Sequence, residues 1–157
     1  MWWSDRRTLL LSLAALAGCG FSPVYGPGGV AETLRGRIDV ADPGDEEGFA
    51  LVERLKVRLG PPQAADLLLS ADIFIEEDAI GFLPDGSISR YDVIGRVEWT
   101  LSNGDTAVAG GEETAFTGYA ATSTTVATIA AQRDARQRLM VILADRIVAD
   151  LLSRPIP

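Results

Sequence analysis

Ile88-Ser89-Arg90-Tyr91-Asp92-Val93-Ile94-Gly95-Arg96-Val97-Glu98-Trp99-Thr100-Leu101 is the stretch that decides the fold. Tyr91, Val93, Val97, Trp99 and Leu101 alternate with Arg90, Asp92, Arg96, Glu98 and Thr100. A period of two marks a strand with one buried and one wet face. Asn103-Gly104 follows, and both residues tolerate positive φ, which a hairpin turn requires. Thr106 to Tyr119 then continues as the next strand, with Gly110-Gly111 expected to form a bulge.

Upstream, Pro84-Asp85-Gly86-Ser87 is a turn signature. It is preceded by Leu67 to Ile80, a strand region with Ile73 and Ile75 on one face and Phe74 opposite. Phe82 and Leu83 sit at the tip of this hairpin, where they either fold back on the core or contact a partner. Leu34 to Val40 alternates as a first strand, and Asp42-Pro43-Gly44-Asp45 turns the chain into a helix. Phe49, Val52, Leu55 and Leu59 recur at three- and four-residue steps on that helix. Asp45, Glu46 and Glu47 suit its N-terminus, and Gly60-Pro61-Pro62 stops it.

Thr124 or Thr125 caps a long C-terminal helix that ends before Pro155. Val126, Ile129, Ala130, Met140, Leu143, Ala144, Ile147, Val148 and Leu151 form its broad apolar face. Arg133, Arg136 and Gln137 interrupt that face; their stems are expected to lie over apolar surface with the heads in water, the alternative being a ligand role. The order β-α-β-β-β-α predicts an α+β two-layer sandwich, a mixed four-stranded sheet with two helices on one face. The strand–helix–strand crossover permits a parallel pair, and the two hairpins demand antiparallel ones.

The N-terminus reads as an export signal. Arg6 and Arg7 precede the apolar run Leu9-Leu10-Leu11-Ser12-Leu13-Ala14-Ala15-Leu16-Ala17, and Gly18-Cys19 follows. Positive, apolar, then small is the order of a secretory leader. The run is too short to span a membrane, which takes ~20 residues. Asp5-Arg6-Arg7-Thr8-Leu9-Leu10 also fits a twin-arginine signal, so both export routes stay open. Residues 1–18 are thus expected to be a signal peptide, 19–30 a tether and 31–157 a single domain. The tether is rich in Gly and Pro but carries apolar Phe21, Val24 and Tyr25.

Composition excludes several functions. The chain of 157 residues has no histidine, which removes His-based catalysis and metal ligation. Its formal charge is −8, and losing Asp5, Arg6 and Arg7 with the leader makes it −9. An acidic domain is a poor nucleic-acid binder. Glu76-Glu77-Asp78 and Glu112-Glu113 are acid clusters, but neighbours on a strand point apart and cannot converge as an acid/base pair. They are expected to be solvated edge charges. No catalytic residues, no metal site and no cofactor are expected.

Leu16-Ala17-Gly18-Cys19 resembles a bacterial lipobox. The resemblance implies a diacylglyceryl thioether on Cys19, cleavage before it, and an acyl chain on the new amine. Gly20, rather than Asp, leans toward the outer membrane. Cys19-Gly20-Phe21-Ser22-Pro23-Val24-Tyr25-Gly26 further resembles the mature start of the LPS-assembly lipoproteins, the LptE family, in its alphaproteobacterial form, with Val24 where Leu is usual. Ala130-Ala131-Gln132-Arg133-Asp134-Ala135 is similar to that family's Ala-rich helix.

The resemblance implies an outer-membrane lipoprotein that plugs an LptD-like β-barrel translocon, assists its assembly and helps deliver lipopolysaccharide. The alternative is an adaptor lipoprotein of another envelope lipid-transport complex. Arg90 and Arg96 share the polar face of one strand and are the candidate contacts to lipopolysaccharide phosphates. Asp92 and Glu98 lie between and beside them, so cross-strand salt bridges compete for the same cations.

Overall fold

The computed structural model describes residues 31, 34–121 and 124–154. Six elements follow in order: β1 (Ile38–Val40), α1 (Glu46–Leu59), β2 (Leu67–Phe82), β3 (Ile88–Asn103), β4 (Thr106–Ala120) and α2 (Thr125–Ser153). The sheet runs β1-β2-β3-β4. β1 pairs with β2 in parallel, and the other two pairings are antiparallel. The expected mixed four-stranded sheet with helices on one face is what forms. The leader, Cys19 and the tether lie outside the described residues.

Alternation on β3 places Val93, Val97, Trp99 and Leu101 in the core, where they meet Leu139, Met140, Leu143, Ile147 and Leu151 of α2. Gly95 lies in the same row for a steric reason. A Cβ there would sit 2.8 Å from Leu139 Cδ2 and 3.0 Å from Leu143 Cδ1. Both leucines are fully buried and cannot retreat. Gly95→Val should therefore cost about 1–3 kcal/mol by overpacking, read as a lower urea midpoint at unchanged slope.

Several boundaries differ from the sequence reading. β1 is only three residues long, because Gly36 takes φ 78° and Arg37 N–H donates to Leu34 C=O, turning the chain just before the strand. On α1 the buried stripe is Gly48, Leu51, Leu55 and Leu59. Phe49 is 64% exposed and Val52 is only half-buried, since the i, i+4 ladder of leucines faces the sheet and Phe49 lies off it. Asp45 caps the helix by accepting from Gly48 N–H at 2.7 Å, and Gly60, at φ 84°, ends it.

The β3–β4 turn is Gly104-Asp105, with Asn103 still paired to Thr106. Gly104 at φ 56° occupies the first central position, the arrangement of a II′ turn. Gly110 and Gly111 pair regularly with Thr100 and Trp99; the irregularity falls instead at Leu101/Ser102, opposite Ala109 and Ala107. The glycine at 111 makes room. A Cβ there would approach Trp99 Nε1 and Asp150 Oδ2, each at 3.1 Å.

The first turns of α2 depart most from expectation. Val126 is 80% exposed, and Ile129 and Ala130 are also exposed. Burial begins at Ala135, whose carbonyl accepts from Thr117 Oγ1 at 2.9 Å. Up to Ala130 the helix overhangs the sheet; Ala131 then packs against the core and Gln132 reaches Glu77 of β2. Phe82 and Leu83 likewise stay exposed at the hairpin tip and do not fold back. The tip is tied to itself: Leu83 N–H donates to Ser87 C=O, and Asp85 Oδ1 accepts from Ser87.

Candidate functional site

With both helices on one side, the other face of the sheet is open. Rows across it can be read from the register. Phe116, Ile94 and Glu76 form one row; Thr114, Arg96 and Phe74 the next; Glu112, Glu98 and Asp72 the one after. Phe116 is 71% exposed, and Phe74 is exposed beside it.

Arg90 and Arg96 both lie on this open face, as their spacing predicts. Their environments differ. Arg96 ion-pairs with Glu98 on its own strand and with Glu112 across the ladder at 3.3 Å. Its guanidinium also lies 4.3 Å from the centroid of Phe74. The hydrogen bonds it donates to those carboxylates hold its pKa above the usual arginine value, with burial working the other way. Arg90 is exposed and makes no ion pair among the described residues. The two cations are thus brought to one face, one of them already engaged by carboxylates.

A second polar cluster was not foreseen in the sequence. Glu77 falls in the row of β2 that faces the helices, after Leu67, Leu69, Ala71, Ile73 and Ile75. Its side chain is 18% exposed. Arg136 Nε donates to Glu77 Oε1 at 2.8 Å, Gln132 Nε2 to Oε2 at 2.9 Å and Tyr119 O–H to Oε2 at 2.9 Å. Arg136 also pairs with Glu47 of α1 at 2.9 Å. Strand, β4 tyrosine and both helices therefore meet at one carboxylate. Glu77 is no solvated edge charge, and Arg136 does more than lay its stem over apolar surface. The signal was available: an acid in an apolar strand row and an arginine in an apolar helix face are matching violations.

Burial pushes the Glu77 carboxyl up, but the hydrogen bonds from Arg136, Gln132 and Tyr119 outweigh it and leave its pKa below the usual value. Burial, then the bond to Glu77, pushes the Tyr119 hydroxyl up to about 12. A carboxyl depressed in the folded state stabilises fully above its unfolded pKa of 4.5 and loses that contribution as pH falls through the folded value. Glu77→Gln should therefore flatten the acid limb of the stability curve below about pH 4.5 and lower stability at pH 7. Urea titrations at stepped pH read both effects.

The carboxylate oxygens of Glu77 are all engaged, so this cluster clamps the helices and is not poised as a general base. Arg54 and Asp145 add a bidentate tie between α1 and α2 at 2.8 and 3.0 Å. Among the described residues no group of His, Cys, Asp or Glu is placed to hold a metal ion. Nor is any described helix long and apolar enough to cross a membrane. What the surface offers is contact area: an open sheet face, an exposed hairpin tip and an overhanging helix start.

Comparison with known proteins places this geometry. No curated protein matches the chain by sequence. Solved structures share the fold. A candidate lipoprotein of Caulobacter crescentus superposes with TM-score 0.63 at 25% identity, covering 79% of this chain and 93% of that one. Rare lipoprotein B of Shewanella oneidensis gives 0.58 at 19% identity, covering 74% and 92%. A minor lipoprotein of Acinetobacter baumannii gives 0.54 at 13% identity, covering 76% and 91%. The model of the lipopolysaccharide-assembly family LptE matches residues 35–151, which takes in the whole sheet, α1 and all but the last two residues of α2. The chain therefore belongs to the LptE family of lipopolysaccharide-assembly proteins.

Proposed function

We propose that this protein is an outer-membrane lipoprotein, anchored by a diacylglyceryl group and an N-acyl chain on Cys19, that plugs and assists assembly of the LptD-like β-barrel translocon and helps deliver lipopolysaccharide to the cell surface. The match to the LptE family across residues 35–151 is the observation that carries this reading. The physical chemistry agrees with it. Large outer-membrane barrels have polar interiors, and a plug must present a polar exterior to them. Every residue buried in the described core is apolar, so the charges lie at or near the surface. The role is one of binding and assembly and involves no bond-making chemistry.

Depletion in the parent organism tests the reading. The translocon barrel should fall in amount and lipopolysaccharide should vanish from the cell surface, while other outer-membrane barrels persist. Normal surface lipopolysaccharide after depletion would overturn it. The lipopolysaccharide contact is assigned to Arg90 and Arg96. Of the two, Arg90 carries the larger share, since Arg96 must first give up Glu98 and Glu112. Arg90→Ala with Arg96→Ala should weaken lipopolysaccharide binding about tenfold or more, Arg90→Ala alone accounting for most of it. Unchanged binding in the double variant removes both residues from the site.

A further inference from the structure

β1 covers very little of β2. The pairing runs from Leu67 to Leu69, and the last bond is Ala41 N–H to Leu69 C=O. The chain then leaves at Asp42-Pro43-Gly44 to start α1. From Ser70 onward, β2 has no neighbour on that side among the described residues. Leu67 N–H and Leu69 C=O both point to the β1 side. By the alternation of a strand, the backbone groups of Ala71, Ile73, Ile75, Glu77 and Ala79 point the same way. The register irregularity at Ala79–Gly81 ends the straight part of this edge.

Two features distinguish it from a blunted edge. The first is a groove of about 310 Å³ where β1 departs, walled by Leu51, Val52 and Leu55 of α1 and by Ala71 and Ile73 of β2, with Asp42, Asp45 and Asp72 also lining it. Ala71, Ile73 and Ile75 belong to the helix-facing row, yet they are only half-buried because no strand closes over them. The second is charge. Asp72 stands opposite Glu98, which stands opposite Glu112, and Asp78 stands opposite Asp92. Like charges directly opposed on a sheet are destabilising. Arg96 neutralises Glu98 and Glu112 but does not pair with Asp72. Exposed Glu76 adds a third acid to the edge.

We infer that the β2 edge from Ser70 to Ala79 receives an extended segment of another polypeptide, in which apolar residues alternate with Lys or Arg, added as a further strand of the sheet. Main-chain bonds to the odd-numbered residues supply affinity. Apolar side chains of the added strand enter the groove. Alternate cationic ones fall on the open face beside Asp72, Glu76 and Asp78. A second copy of this chain is a poor occupant, because pairing β2 with itself brings its own acids onto the same face. The tether Gly20–Val30 is also a poor one, since it contains no Lys or Arg. The inference does not depend on the barrel partner proposed above.

The test uses protein isolated from membranes in detergent and a nine-residue peptide alternating valine with lysine and arginine. The peptide should bind and slow amide exchange at Ala71, Ile73 and Ile75, and a glutamate version should not bind. Ala71→Pro removes an outward N–H, a substitution that edge strands tolerate. It should weaken binding about tenfold or more at an unchanged melting temperature. Should that variant melt early, Asp72→Lys with Asp78→Lys leaves the backbone intact and should weaken binding to a similar extent, with the residual binding insensitive to salt. Equal binding of the glutamate peptide, protection on β4 instead of β2, dimers formed through β2, or competition by the tether would each overturn the inference.

Discussion

Trp99→Ala should lower the stability of the domain by about 3–5 kcal/mol, the largest effect expected of any single core substitution here. Trp99 is 1% exposed and packs between β4 and the end of α2. Its neighbour across the ladder is Gly111, which has no side chain to fill the vacated space. The Arg154 guanidinium, 5.4 Å from the indole centroid, would lose its aromatic partner and remain held by Asp150 and the Gly110 carbonyl. For a chain of this size the melting temperature should drop on the order of 10 °C. Trp99→Phe makes the instructive contrast. Among the described residues the buried indole Nε1 has no hydrogen-bond partner, so phenylalanine deletes an unpaired donor while keeping a ring. Its cost should be far smaller than that of alanine. Equal losses in the two variants would mean that the indole N–H is satisfied and that volume does not set the energetics of the site.

The second large effect is one of location. Cys19→Ser should release the protein from the membrane altogether, since serine cannot form the thioether. A buried methylene contributes ~0.8 kcal/mol, so two or three acyl chains make dissociation negligible and their loss complete. Fractionation should find the variant in the soluble envelope fraction with its domain folded, because the described core takes in no residue before Ala31. A serine variant that stays with membranes would show that something other than lipid holds it there.

Much of the architecture was legible because period-two and period-3.6 patterns carry it. β3 could be read residue by residue, since every second position is apolar and only one face is covered. Phe49 misled because a bulky apolar residue at a plausible step looks like core; Leu51, two residues on, lies on the face that meets the sheet. Val126 and Ile129 misled for another reason. They continue the helical stripe, but how far the sheet extends beneath α2 is a tertiary fact that no periodicity contains.

The polar features divide in the same way. That Arg90 and Arg96 share a face follows from spacing alone. That Arg96 is shared by Glu98 and Glu112 depends on the β3–β4 register, which the Gly104-Asp105 turn sets. The Glu77 clamp joins residues more than fifty positions apart in sequence, and each of them looked like an isolated exception. The bare edge of β2 was hidden for a similar reason. Leu34 to Val40 reads as a strand long enough to cover it, and Gly36 cuts that strand to three residues.

Affinity isolation of the chain from native membranes, with its N-terminus intact, should recover one stoichiometric partner, an outer-membrane β-barrel, retained through washing in detergent. Recovery of an inner-membrane ATPase complex in its place, with no barrel present, would contradict the proposed function.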